Sequence, residues 1–137
     1  MIKSRLGHFQ INTNPQNIGF YKDMFDFLGW SVLYEDPTMV GVGCEQGTSL
    51  WFCTPLKEAN NDYDGIGMNH VGIMVDSQAD VDATVAYLKE HGVQALFETP
   101  RHRPEFAESP DHTYYQVMFE SPDRVLFEVV YTGLLAG

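Results

Sequence analysis

The chain has 137 residues, 44% of them apolar and 20% charged, with a formal net charge of -11. That composition fits a globular domain with a core of its own and excludes a disordered chain. With 19 acidic residues against 8 basic ones, it disfavours nucleic acid and anionic membranes as partners, although one local Arg can override the mean field for a small anion.

Residues 6–12 alternate with period two, Phe9 and Ile11 on one face and His8, Gln10 and Asn12 on the other, which predicts a half-buried strand. Asn14 is placed to cap a helix that begins at Pro15, carries Ile18, Tyr21, Phe25 and Leu28 on one face, and ends at Gly29. Short strands are expected at 30–34, 40–44 and 50–53, giving the order β-α-β-β-β. Residues 57–66 are polar and turn-rich and read as a linker. The order then repeats. Val71, Ile73 and Val75 form a strand face, Asp76 or Ser77 caps a helix closed by His91-Gly92, and strands are expected at 93–97, 114–119 and 125–131. Residues 99–111 read as a long loop holding His102 and His112, and Gly133 to Gly137 as a frayed end.

The repeat is weak but ordered. His8-Phe9-Gln10-Ile11 answers His70-Val71-Gly72-Ile73 at an offset of about 62 residues, longer than solenoid periods, so a duplicated module is expected and not an array. The expected fold is α+β: one domain of two tandem βαβββ modules (about 5–56 and 67–132) forming a curved mixed sheet around a pocket, helices outside. No apolar run reaches the roughly 18 residues of a membrane helix. No secretory leader is visible, and Cys44 and Cys53 have no disulfide or metal spacing, so a reducing, cytoplasmic setting is expected.

Parity carries the functional reading. If each apolar set faces its own helix, the opposite face collects His8, Gln10 and Asn12, Trp51 and Cys53, His70 and Met74, Tyr114, Gln116 and Met118, and Glu128. Two imidazoles and a carboxylate, His8, His70 and Glu128, suit a first-row divalent ion with positions left open. Spacing alone also allows hydrogen-bonded core histidines and a solvent-facing Glu128 on an edge strand, and Trp51 and Met118 read equally as core or as pocket wall. No dinucleotide fingerprint, P-loop, C-x-x-C, H-E-x-x-H or nucleophile elbow is present.

The ordered set resembles the vicinal oxygen chelate superfamily of glyoxalases, bleomycin-resistance proteins, extradiol dioxygenases and fosfomycin-resistance thiol transferases. The stretches that carry it are Phe20-Tyr21-Lys22-Asp23 through Leu28-Gly29-Trp30, Asn69-His70-Val71-Gly72-Ile73, and Ser121 through Val129. The resemblance implies metal ligation by His8, His70 and Glu128. Its fourth ligand position, a Glu in glyoxalases that also moves protons, falls here on Leu50 or Trp51, so ordinary glyoxalase chemistry is disfavoured. The resemblance thus implies a metalloenzyme using Fe, Mn, Ni or Zn on a small substrate with vicinal oxygens, by oxygenase-like or lyase-like chemistry. Tyr114 or His112 is the acid/base candidate, and Gln10, Trp51, Gln116 and Met118 are the substrate-facing candidates. The rival reading is a metal-free small-molecule binder of the bleomycin-resistance type. The resemblance implies a homodimer in either case.

Overall fold

The computed structural model describes residues 1–135. The fold is α+β, with two four-stranded mixed sheets and one α-helix for each. The chain divides into two compact units, Met1–Asn60 and Asn61–Gly137.

Unit 1 runs β1 (His8–Asn12), a 3-10 turn (Pro15–Asn17), α1 (Ile18–Phe27), β2 (Ser31–Asp36), β3 (Met39–Gly43) and β4 (Ser49–Cys53). Its sheet has the order β1-β4-β3-β2, with β1 parallel to β4 and the remaining pairs antiparallel. Asn14 accepts from the Gln16 amide at 3.3 Å, so Pro15 opens the tight turn that leads into α1. Helix α1 packs on β2 and β3. Its Tyr21 ring stacks on Phe52 of β4 at 4.2 Å, and Phe25 lies against Phe52 and Trp30.

Unit 2 runs β5 (Val71–Met74), α2 (Gln78–Glu90), β6 (Leu96–His102), a 3-10 turn (Pro104–Phe106), β7 (His112–Glu120) and β8 (Leu126–Leu134). The order β5-β8-β7-β6, with β5 parallel to β8, repeats the topology of unit 1. Ser77 caps α2 by accepting from the Asp80 amide at 3.1 Å. Both helices stop at a left-handed residue, Gly29 at φ 84° and Gly92 at φ 69°, a conformation that costs a glycine little. Helix α2 covers β6, β7 and β8. Val81, Leu88, Val117, Phe119, Phe127 and Val129 are buried there.

Three expectations need correction. The strand expected at 93–97 lies at Leu96–His102, so part of the expected loop is sheet. Phe97 and Glu98 take positive φ, and the register slips between Leu96 and Arg101. Pro100 is tolerated because β6 is an edge strand, where a missing amide breaks little. His102 and His112 therefore sit on β6 and β7 and not in a loop. Second, the segment read as linker is anchored from Asn61 onward. Tyr63 is buried and packs with Met118 and Leu126, and Asn61 donates to the Arg124 carbonyl at 2.8 Å. Third, Gly133 and Leu134 continue β8, and Leu135 donates to the Asp111 carbonyl at 2.8 Å. The rest of the supposed frayed end, 136–137, lies outside the described residues.

Phe52 is fully buried between two rings of α1. Phe52→Ala is expected to cost about 3–5 kcal/mol of stability. Urea unfolding followed by circular dichroism measures it.

Candidate functional site

Period two separates the faces of sheet 2. Tyr115, Val117 and Phe119 of β7 share the helix side, and the Tyr115 hydroxyl donates to Asp82 of α2 at 2.7 Å. Tyr114, Gln116 and Met118 therefore occupy the other side. The ladder puts Met118 opposite Glu128, and Glu128 opposite Gly72 of β5. Strand β8 is central, so Glu128 is no edge residue; it is 4% exposed.

Two groups meet that carboxylate. The Tyr114 hydroxyl donates to Glu128 Oε1. His70 Nε2 stands 3.1 Å from Glu128 Oε2. The tautomer of His70 is set by its other neighbour. Asn69 Nδ2 donates to the Tyr63 carbonyl at 3.0 Å, which orients the amide so that its Oδ1 faces His70 Nδ1 at 2.8 Å. Nδ1 therefore carries the proton. In the neutral ring, Nε2 then points a lone pair at a carboxylate oxygen. Two acceptors 3.1 Å apart need a cation between them, either a proton on Nε2 or a metal ion. That spacing suits adjacent ligands of one first-row ion, whose bonds run about 2.0–2.2 Å. The bond that His70 Nδ1 donates to Asn69 and the bond that Tyr114 donates to Glu128 are the outer partners such ligands require.

The Tyr114 hydroxyl is pushed up to about 12, first by burial, then by its hydrogen bond to Glu128 and the charge of Glu128, with Arg103 opposing. Near neutral pH it is a proton donor and a poor base. His112 is engaged elsewhere, with Ser109 at 2.7 Å and Glu108 at 3.7 Å. Gln116 accepts from Arg103 at 3.1 Å. Met118 packs with Tyr63 and Leu126.

In unit 1, His8 and Gln10 are exposed on β1, and Gln10 donates to Asn12 at 3.4 Å. The register settles the fourth ligand position. Gln10 pairs with Trp51 as Gly72 pairs with Glu128, so Trp51 is the counterpart of Glu128. Its indole lies over Gly41, where a Cβ would come within 2.4 Å of the ring, and its Nε1 donates to Ser49 at 3.0 Å. Among the described residues, no group of three or more His, Cys, Asp or Glu side chains is gathered. Unit 2 alone supplies a pair. Cys53 is buried, and burial pushes its thiol up, away from a nucleophilic thiolate.

The sequence reading missed Arg101 and Arg103 on this face, because Pro100 made their strand read as loop. The available signal was the alternation Thr99, Arg101, Arg103.

Two β-α-β-β-β units of equal topology, one presenting a paired His and Glu on its open face, define a class in which small ligands are held on sheet faces. The chain belongs to the glyoxalase/bleomycin resistance protein/dioxygenase superfamily, whose family model matches residues 5–129. A candidate glyoxalase from Bacillus halodurans superposes with a TM-score of 0.75 at 26% identity, covering 92% of this chain and 94% of its own. A glyoxalase/bleomycin resistance protein from Albidiferax ferrireducens T118 gives 0.71 at 16% identity, with 93% and 99% covered. The lactoylglutathione lyase of Agrobacterium tumefaciens gives 0.64 at 19%, with 94% of each chain covered. The last two share the fold. No protein of curated function matches the chain.

Tyr114→Phe removes the donor to Glu128 Oε1 and leaves that buried oxygen unmatched. The expected loss is about 1–3 kcal/mol of stability, read by chemical denaturation in the metal-depleted protein.

Proposed function

We propose that the protein is a metalloenzyme of this superfamily that binds one divalent ion (Fe, Mn, Ni or Zn) and acts on a small substrate with two neighbouring oxygens. The observation that carries this reading is the acceptor pair His70 Nε2 and Glu128 Oε2, 3.1 Å apart with the Nδ1 proton committed to Asn69. His8 is the third ligand, supplied by unit 1 of the same chain or of a second copy in a homodimer. The ion supplies Lewis-acid polarisation of the substrate oxygens.

The chain's own residues do the rest. Asn69 holds the imidazole in its ligating tautomer. Tyr114 donates its one hydroxyl proton to Glu128 Oε1, and it serves a developing oxyanion only by turning that proton away from the carboxylate. His112, which this strand also carries, is the weaker proton-transfer candidate because Ser109 and Glu108 occupy it. Gln116, Met118, Gln10 and Trp51 face the substrate. With Trp51 where a glutamate would move protons in a glyoxalase, oxygenase-like or lyase-like chemistry is favoured over glyoxalase isomerisation. No helix is long and apolar enough to cross a membrane, and a cytoplasmic setting is part of this proposal.

One observation favours a second reading. A proton on His70 Nε2 satisfies Glu128 with no metal, as an ion pair of 3.1 Å. The protein is then a metal-free small-molecule binder of the bleomycin-resistance type.

Elemental mass spectrometry of protein purified without chelators decides between them. About one ion per chain is expected, lost in His70→Ala. A full complement in that variant, or no metal even after reconstitution, overturns the metalloenzyme reading. Mixing His8→Ala with His70→Ala protein locates the third ligand. Metal binding recovered in the mixture means that His8 serves a second copy; no recovery means that it serves its own chain.

A further inference from the structure

Strand β6 sets Arg101 opposite Gln116. The Arg103 amide donates to the Tyr114 carbonyl at 2.7 Å, which extends the same pairing by two residues. Both arginines thus fall on the face of Tyr114, Gln116 and Glu128. The whole chain has 8 Lys and Arg against 19 Asp and Glu, so two cations side by side on this face oppose the mean field.

Arg103 is held from three directions. Nη1 donates to Gln116 at 3.1 Å and Nε to Glu105 at 2.5 Å, while the guanidinium lies 4.9 Å over the Phe106 ring. Phe106 in turn meets Tyr114 edge-on at 5.5 Å. Gln116 is buried at 2% exposure, so its oxygen depends on Arg103 and not on water. These bonds engage Nε and Nη1 of Arg103. Arg101 Nε is a buried donor without a partner, and its Nη1 reaches only the exposed Glu98, at 3.4 Å. Glu98 and Glu105 are 87% and 50% exposed, where ion pairs hold weakly. A preorganised guanidinium with donors to spare is the usual receptor of a planar carboxylate.

We propose that Arg103, assisted by Arg101, is the anion-recognising residue of this face, and that the substrate carries a carboxylate beside its chelating oxygens, as a 2-oxo acid does. The chelating oxygens rest on the metalloenzyme reading, whereas the carboxylate contact is carried by Arg103 itself.

Pyruvate and its neutral counterpart butane-2,3-dione are the probes. Both are titrated by calorimetry into wild type, Arg103→Gln and Arg103→Lys, each metal-loaded and each after EDTA. Wild type is expected to prefer the acid by about tenfold or more. Arg103→Gln is expected to lose that preference while dione binding and metal content stay unchanged, with a lowered thermal midpoint because the buried Gln116 oxygen loses its donor, and Arg103→Lys to retain part of the preference. After EDTA both affinities fall, but wild type still prefers the acid. Equal losses for acid and dione in Arg103→Gln indicate a structural role and overturn the assignment. So does an unchanged preference in that variant, or failure of wild type to bind pyruvate. A protein that never takes up metal yet keeps an Arg103-dependent acid preference overturns the metalloenzyme reading and the chelating oxygens with it, and supports only the carboxylate contact at Arg103.

Discussion

A carboxylate that is 4% exposed on a central strand must be matched, and the open face of sheet 2 is organised around that requirement. Tyr114 covers one oxygen of Glu128 and His70 faces the other. The orientation of His70 is inherited through Asn69 from the Tyr63 carbonyl. Tyr63 is fixed by packing on Met118 and Leu126, with its hydroxyl bonded to Glu120 and the Arg124 guanidinium 4.8 Å from its ring centroid. A polar-looking segment between the modules therefore determines which imidazole nitrogen carries a lone pair. Packing energy spent at Tyr63 becomes donor chemistry at His70.

The same face depends on strand register. Val117, Phe119, Phe127 and Val129 are all buried on the helix side, so a one-residue slip of β7 or β8 would exchange them for Gln116, Met118 and Glu128. The apolar cost of such a slip protects the polar constellation. Beyond the ladder itself, the Tyr115 to Asp82 bond ties the helix side of β7 to α2. Stability and site geometry are here one constraint read from two faces of a sheet.

Where local chemistry was strong, the sequence was readable. Period-two alternation located β1, β5, β7 and β8, and the Asn14 and Ser77 caps and the left-handed Gly29 and Gly92 bounded both helical segments. Glu128 stood out as the inward carboxylate among apolar neighbours, and Tyr114 and Gln116 followed by parity. What escaped was irregular or long-range. Positive φ at Phe97 and Glu98 and the proline at 100 break the regular pattern of β6, leaving only the short alternation Thr99, Arg101, Arg103 to mark the arginines. Tyr63 lies among Asn, Asp and Gly, where nothing local announces burial. Leu50 and Trp51 could not be separated as the counterpart of Glu128 without a register, which the pairing of Gln10 with Trp51 provides.

That register has a consequence for charge. Both units have the same strand order, yet the residue matching Glu128 is an indole seated over Gly41 and bonded to Ser49. In the proposed ligand set, two neutral imidazoles and one carboxylate leave a divalent ion with a net single positive charge. A glutamate at position 51 would cancel it. Under that proposal, a non-carboxylate at position 51 would leave the charge of the ion for an anionic ligand to balance. Arg101 and Arg103 push the same way from β6. Each arginine has a carboxylate beside it, Glu98 for Arg101 and Glu105 for Arg103, but both carboxylates are solvent-exposed and hold weakly. The effect of the arginines is local, since charges separated by more than about 8–10 Å are largely screened at physiological salt. An acidic exterior and a local arginine pair are therefore compatible, and a ligand that uses the pair must be small enough to come within its short-range field.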